Sequence, residues 1–433
     1  MIDKYYNGVI EQVYGRVGKT ERNIVMASYN NDFSIESLET IKRYQENDDS
    51  VFFAWHEFGY RELTGAYEPF LDTICNMFRK YREGDFDTFL TECGVYEPQR
   101  VVFRSYYENG ICDREEGVLL NEVEYEQGRM TETIAAMLKA LAKTHPIVLV
   151  INRFQMASRS AFELVYALIR KPDKNIGLVL GVNESVGRWE SIAEVWDGIV
   201  ESLEDHSQLY HIGSSNRRRT ELKEELALGE GYADNVYVDE NYEESICKVA
   251  NIVEFLDYDQ AERYFQGVEH KIKFEDAQME DSCKRKFYLL YARTSILLGE
   301  LSKALELVSE ATHMIPAENE FLYCSECDFL RATCYMYQGK LEKAEKYANL
   351  SYGRAMESED AKQVFRAALL KVMAKMSGWY NIFFCVQDIP IEAELIEKLM
   401  QYGYWNHLAH IYIYAYDNHP KVVAKAYRSE AAL

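Results

Sequence analysis

His145–Phe154 reads HPIVLVINRF, and the five residues Ile147–Ile151 at its heart are apolar at every position. A strand with no polar face is covered on both sides, the pattern of a parallel sheet lying between layers of helices. Further β-rich runs lie around it: Asn23–Ser28 (NIVMAS), Val51–Trp55 (VFFAW), Val101–Phe103 and Ile176–Val182 (IGLVLGV). Between them, SIESLETIKRYQE, EPFLDTICNMFRKYRE, TETIAAMLKALAKT and SAFELVYALIRK repeat their apolar residues at spacings of three and four, which predicts helices. Alternation of strand and helix predicts an α/β domain over residues 1–215 with a parallel sheet.

Beyond about residue 240 the β-branched runs stop, and alanine, leucine, tyrosine and glutamate recur at helical spacing. The chain divides accordingly into the α/β domain, a helical connector over 216–245 and an all-α repeat domain over 246–433. The connector carries the triplet Arg217, Arg218 and Arg219, which reads as a solvated helix start. In the last domain Ala292, Gly299, Leu301, Ala304, Ala311 and Pro316 resemble the tetratricopeptide template, and Ala332, Gly339, Leu341, Ala344 and Ser351 repeat it. Small residues let paired helices approach, and the glycine closes the turn between them. LDYDQAERYF (Leu256–Phe265) is a weaker earlier copy and SGWYN (Ser377–Asn381) a weaker later one.

The 433 residues carry a net charge of -23, which repels a phosphate backbone and an anionic membrane surface alike. No apolar run approaches the roughly 20 residues of a membrane helix, and MIDKYYNGVIEQ lacks the apolar stretch of a signal peptide. The expectation is a cytoplasmic protein with neither nucleic acid nor membrane as partner. Nine scattered cysteines fit reduced thiols.

Gly15–Thr20 reads GRVGKT, a string that ends like a phosphate-binding loop. Such a loop needs glycine five places before Gly18, where Val13 stands, and it must follow a strand and open a helix. Here the strand comes afterwards, so a polar N-terminal turn is expected.

Most of residues 20–230 resemble the nucleotide-binding domain of the STAND-class signal-transduction ATPases, a P-loop family often joined to tetratricopeptide-like helices in large bacterial regulators. NIVMAS takes the place of the family's first strand and SIESLETIKRY that of the following helix. In VFFAWHEFGYRELTGAYEPFLDTI, Ala66, Tyr67, Pro69 and Phe70 match the family's turn. HPIVLVINRFQMASRSAFELVYALI resembles the Walker B segment, and IGLVLGVNES the next strand with its polar tip at Asn183.

The departures fall on the chemistry. The Walker A region holds Tyr29, Asn30, Asn31, Asp32, Ser34, Ile35 and Glu36, with Ile35 and Glu36 where the resemblance places Lys and Ser or Thr. Phosphate binding needs glycine amides, a lysine and a hydroxyl for magnesium. At the Walker B position Asn152 and Arg153 replace the acidic pair, and neither an amide nor a guanidinium holds magnesium. The expected protein is therefore a non-catalytic scaffold of bacterial signalling with no cofactor and no metal. It binds a protein or peptide partner through Leu289, Arg293, Ile296, Phe329 and Met336 on the repeat's concave face, and works with a separate or fused effector domain. The rival expectation is an atypical nucleotide switch using Arg153, Arg159 or Arg217–Arg219.

Other groupings have ordinary explanations. Cys324 and Cys327 form a lone CxxC within a helix, and His407 and His410 lack the companions of a metal site. Glu122, Glu124 and Glu126 alternate along a strand or turn and read as a solvated edge.

Overall fold

In the computed structural model the described residues are 2–30, 33–47, 50–60, 62–95, 97–111, 123–184, 186, 192–212, 241–274, 279–316, 320–360, 363–364, 366–371 and 373–374. They form an α/β unit that runs to the end of the helix at Phe274 and a helical unit that begins at Met279.

The α/β unit is built on five parallel strands: β1 (Ile24–Tyr29), β2 (Phe52–Glu57), β3 (Ile147–Asn152), β4 (Ile176–Asn183) and β5 (Leu209–Ile212). Their order across the sheet is β2-β3-β4-β1-β5. β1, β3 and β4 are buried along their whole length, as IVLVI predicts. Helices α1 (Ile2–Arg16) and α2 (Glu39–Asn47) cover one face, where Tyr6, Val9, Ile10 and Val13 of α1 pack on Val25, Ala27, Val148, Val150 and Val179. The other face carries α3 (Phe70–Tyr81), α4 (Phe86–Glu92), α5 (Glu97–Asn109), α6 (Val123–Ala142), α7 (Arg159–Arg170) and α8 (Ala193–Glu204). Phe52 of β2 meets Tyr81 of α3 there, and α3, α6, α7 and α8 pack in succession.

Two local expectations are corrected. Val101–Phe103 lies within α5 and is no strand, because three apolar residues have no period of their own and the helix buries Val102 and Phe103 on one side. Glu124 and Glu126 lie on helix α6, while Glu122 is outside the described residues. Gly15 and Arg16 end α1, and Gly18, at φ 79°, donates its amide to Lys174 O at 2.6 Å. GRVGKT is thus a helix C-terminus, held by a glycine in the left-handed region.

The unit also includes α9 (Tyr242–Glu254) and α10 (Tyr258–Phe274), so its boundary falls later in the chain than residue 215. These helices are tied to the sheet layers by polar bonds that no periodicity reveals. Gln260 Oε1 accepts from Thr64 N at 2.8 Å, and Asp257 Oδ2 accepts from Ser160 N and Oγ at 3.0 and 2.7 Å. Phe255 packs among Tyr67, Phe103 and Tyr106.

The helical unit contains two successive hairpins, α11 (Asp281–Leu297) with α12 (Leu301–Thr312), and α13 (Glu320–Tyr337) with α14 (Leu341–Ser358). Their turns repeat bond for bond. Leu298 N binds Thr294 O, Gly299 N Ile296 O and Glu300 N Ser295 O; the second hairpin has Gln338 to Cys334, Gly339 to Met336 and Lys340 to Tyr335. Gly299 and Gly339 adopt φ 81° and 70°, conformations that a glycine reaches without steric cost. Ala292, Ala304, Ala311, Ala332, Ala344 and Ser351 are all buried where the helices meet.

Candidate functional site

In an open parallel sheet, the crevice that takes ligands lies beyond the carboxyl ends of the strands, where successive connections leave in opposite directions. Here that place is between β1, whose chain crosses to the far edge at β2, and β4, whose chain crosses to β5. The last residues of four strands converge on it, since Tyr29 is in register with Asn183 and Glu57 with Asn152.

These side chains bind one another. Tyr29 Oη donates to Asn152 Oδ1 at 2.6 Å, and Asn152 Nδ2 donates to Phe33 O at 3.2 Å and Glu57 Oε2 at 3.3 Å. Glu57 Oε2 also accepts from Ile35 N at 2.8 Å, while its Oε1 pairs with Arg153 Nη1 at 3.1 Å. Arg153 donates to Phe58 O, and its guanidinium lies 4.5 Å from the centre of the Tyr60 ring. Tyr60 Oη accepts from Asn183 Nδ2 at 2.8 Å, and the Gln155 side chain exchanges bonds with the Asn183 backbone. Arg153 is held at φ 54°, a left-handed conformation that costs an ordinary residue about 1 to 2 kcal/mol. The Glu57 pair and the Tyr60 face are what hold it.

An aromatic plug lies beneath this network. Tyr6, reaching in from α1, meets Phe33 edge-on at 5.1 Å and Tyr29 at 6.3 Å, and Tyr29 meets Phe33 at 4.7 Å. Tyr6 and Tyr29 are completely buried. Burial, reinforced by the Glu57 charge, raises the Tyr6 hydroxyl far above the usual phenol range. Gly181 makes the room: a Cβ there would stand 2.1 Å from Tyr6 Oη and 2.7 Å from Asn152 Oδ1.

Among the expected Walker A positions, Tyr29 and Ile35 are buried in this network, Asn30, Ser34 and Glu36 are exposed, and Asn31 and Asp32 lie outside the described residues. Asn152 and Arg153 belong to the network, whereas Arg159 is elsewhere, paired with Glu163 at 3.0 Å. Arg217–Arg219, His407 and His410 lie outside the described residues. Among the described residues no group of three His, Cys, Asp or Glu could hold a metal ion. Cys327 is buried within α13, and burial pushes its thiol up to about 11.

The expected concave-face residues do not form an exposed set. Leu289, Ile296 and Phe329 are buried, and only Arg293 and Met336 are partly accessible. The reason is that α11 buries Phe287, Tyr288, Leu289, Tyr291, Ala292, Ser295 and Ile296 around most of its circumference, which leaves no free apolar face. Among the described residues of this unit the exposed large apolar side chains are instead Leu298, Phe321, Tyr337, Leu350 and Met356.

Tyr6, Glu57, Tyr60, Gln155 and Gly181 were not expected in the site. One signal for them is in the sequence: Gly177 and Gly181 fall on the same face of a buried strand, and a glycine there marks a close approach by another group. Val13 fills the space over Gly177, and Tyr6 that over Gly181.

Comparison of this chain, a five-stranded parallel α/β unit followed by helical hairpins, with protein-family models, curated proteins and solved structures finds no match. No helix among the described residues is long and apolar enough to cross a membrane.

Proposed function

We propose that the protein is a non-catalytic regulatory scaffold of bacterial signalling. In this reading its α/β unit is a STAND-class ATPase domain that has given up triphosphate chemistry, and its tetratricopeptide-like hairpins engage a protein or peptide partner in the cytoplasm. The observation that carries it is the position of Glu57. The amide of Ile35, at the first turn after β1, is where an anion would be received, and it donates to this internal carboxylate. A triphosphate would have to displace Glu57 from Arg153, Ile35 and Asn152 while meeting its negative charge, and it would find no acidic pair to place magnesium. The rival reading, a nucleotide switch, needs free cations, and both Arg153 and Arg159 are committed to carboxylates.

The binding half of the proposal rests on the repeated hairpins and on the exposed apolar residues of the second. The net charge of -23 favours a protein partner over nucleic acid or a membrane surface. A thermal-shift series with millimolar ATP and ADP, with and without magnesium, tests the first half. A ligand at about 100 times its Kd adds about 2.7 kcal/mol of stability and would be unmistakable. We expect no shift; a magnesium-dependent rise in Tm would overturn the reading. Substituting Phe321, Leu350 and Met356 with Asp tests the second half, with loss of partner capture from a host lysate at unchanged Tm as the expected result.

A further inference from the structure

Among the described residues β2 lies at the edge of the sheet, paired on one side only. Phe52 N donates to Pro146 O and Phe58 N to Asn152 O, the first and last rungs along β3. Since N–H and C=O of one strand residue point the same way, the even-numbered residues face β3, while Phe53, Trp55 and Glu57 turn their backbone groups outward. Among the described residues nothing takes up those groups. Edge strands are normally blunted by lysine, proline or a bulge. This one reads FFAWHE, contains neither residue, runs in unbroken register with β3 and is half-exposed along its length.

We propose that β2 is a self-association strand: a second copy of this chain adds its own β2 antiparallel to the first, about a two-fold axis at Ala54, and joins the two sheets into one. A two-fold interface must be self-complementary, and the outward groups restrict how that can happen. Only odd-numbered residues can exchange hydrogen bonds across the new ladder, so the axis passes through a residue and not between two. With the axis at Ala54, Phe53 stands opposite Trp55 of the second copy and Phe52 opposite His56, giving aromatic pairs on both faces. Ala54 then meets its own copy at a non-hydrogen-bonded position. Cα atoms there approach to about 4.5 Å, a spacing that suits a methyl side chain. Glu57 falls opposite Val51, away from its counterpart, and its charge is already met by Arg153. Moving the axis to Trp55 would set Phe53 against Glu57 and two indoles against each other at the centre. The strand therefore fits a second copy of itself better about Ala54 than about Trp55.

Ala54→Cys tests the register directly. The Cα spacing of about 4.5 Å falls within the range a disulfide spans, about 4.4 to 6.8 Å. Under copper-phenanthroline oxidation the A54C protein is expected to run as a covalent dimer on non-reducing gels. Wild type and Ser50→Cys, which stands opposite Phe58 of the second copy, are expected to stay monomeric on the same gels. Light scattering of the wild type should give twice the monomer mass, falling to the monomer in Ala54→Lys with an unchanged circular dichroism spectrum. A wild-type protein that is monomeric at high micromolar concentration overturns the proposal, as does a dimer that A54C fails to cross-link. If Ala54→Lys does not fold, those two measurements still decide.

Discussion

The crevice of the α/β unit and the turns of the hairpins both rest on glycines, for opposite reasons. Gly299 and Gly339 have nothing within 4 Å of a would-be Cβ and are required by their backbone angles. Gly181 sits in an ordinary strand and is required by what presses on it, Tyr6 and Asn152. The hairpin turn is a local device that can be copied along a chain, and it recurs bond for bond. The crevice is assembled once, from α1, the segment after β1, and the ends of β2, β3 and β4.

Substitutions should separate the two kinds of device by size. Glu57→Ala is expected to have the largest effect, about 3 kcal/mol or more in denaturant unfolding, because it strands the Arg153 guanidinium and leaves Ile35 N without its acceptor. A loss below about 1 kcal/mol would mean that the crevice is a solvated surface and that Glu57 is no substitute for a bound anion. Gly181→Ala should follow at about 2 kcal/mol, the cost of overpacking. Tyr6→Phe removes the nearest atom, so the double variant with Gly181→Ala should lose less than the sum of the two singles. Strict additivity would show that Tyr6 does not press on Gly181.

This contrast also explains what could be read in advance. IVLVI and its neighbouring runs foretell a covered parallel sheet because burial on both faces leaves a continuous apolar signature. Ala292, Gly299 and Ala304, with their counterparts 40 residues on, foretell the hairpins because each requirement is local and recurs. That the stretch expected to hold a phosphate loop has no glycine and no lysine, and that Asn152 and Arg153 stand where an acidic pair was expected, is legible too. What fills the space is not, since Tyr6 and Glu57 lie 23 and 28 residues from Tyr29 and carry no motif. The placement of α9 and α10 with the α/β unit escapes for the same reason: Asp257 and Gln260 find Ser160 and Thr64 across long stretches of chain. Leu289, Ile296 and Phe329 mislead because a repeat template assigns a concave face without knowing what covers it.

The joint at Asp257 adds a pH-dependent comparison. Its carboxyl is buried, with Oδ2 on Ser160 and Oδ1 without a hydrogen-bond partner among the described residues. Burial raises its pKa above the ordinary carboxylate range, against the pull of the Ser160 bonds, and Asp259 adds to the rise. The folded chain therefore holds this proton more tightly than the unfolded chain does. The associated stability is fully present below the unfolded carboxylate pKa and is lost as pH rises through the folded value, by at most about 1.4 kcal/mol per pH unit for one proton. Asp257→Asn should flatten that part of the profile in melts from acid to neutral pH. An unchanged slope would assign it to another group, with Glu163, also raised by burial, the first to examine.

The smallest effects test whether the hairpin turn is one device used three times. Between α9 and α10, Phe255 N binds Asn251 O, Leu256 N Val253 O and Asp257 N Ile252 O, the bond pattern of the turns at Gly299 and Gly339. Leu256 occupies the glycine position at φ 65°. Gly299→Ala and Gly339→Ala should each cost about 1 kcal/mol, since only the backbone angle opposes them. Leu256→Gly would relieve a strain of similar size, yet Leu256 is only 2% exposed and its buried side chain contributes about 2 to 3 kcal/mol. The side chain outweighs the angle, so Leu256→Gly should also destabilise, by about 1 kcal/mol. If it stabilises instead, the leucine is poorly packed and this turn is closer to its glycine counterparts than its burial indicates.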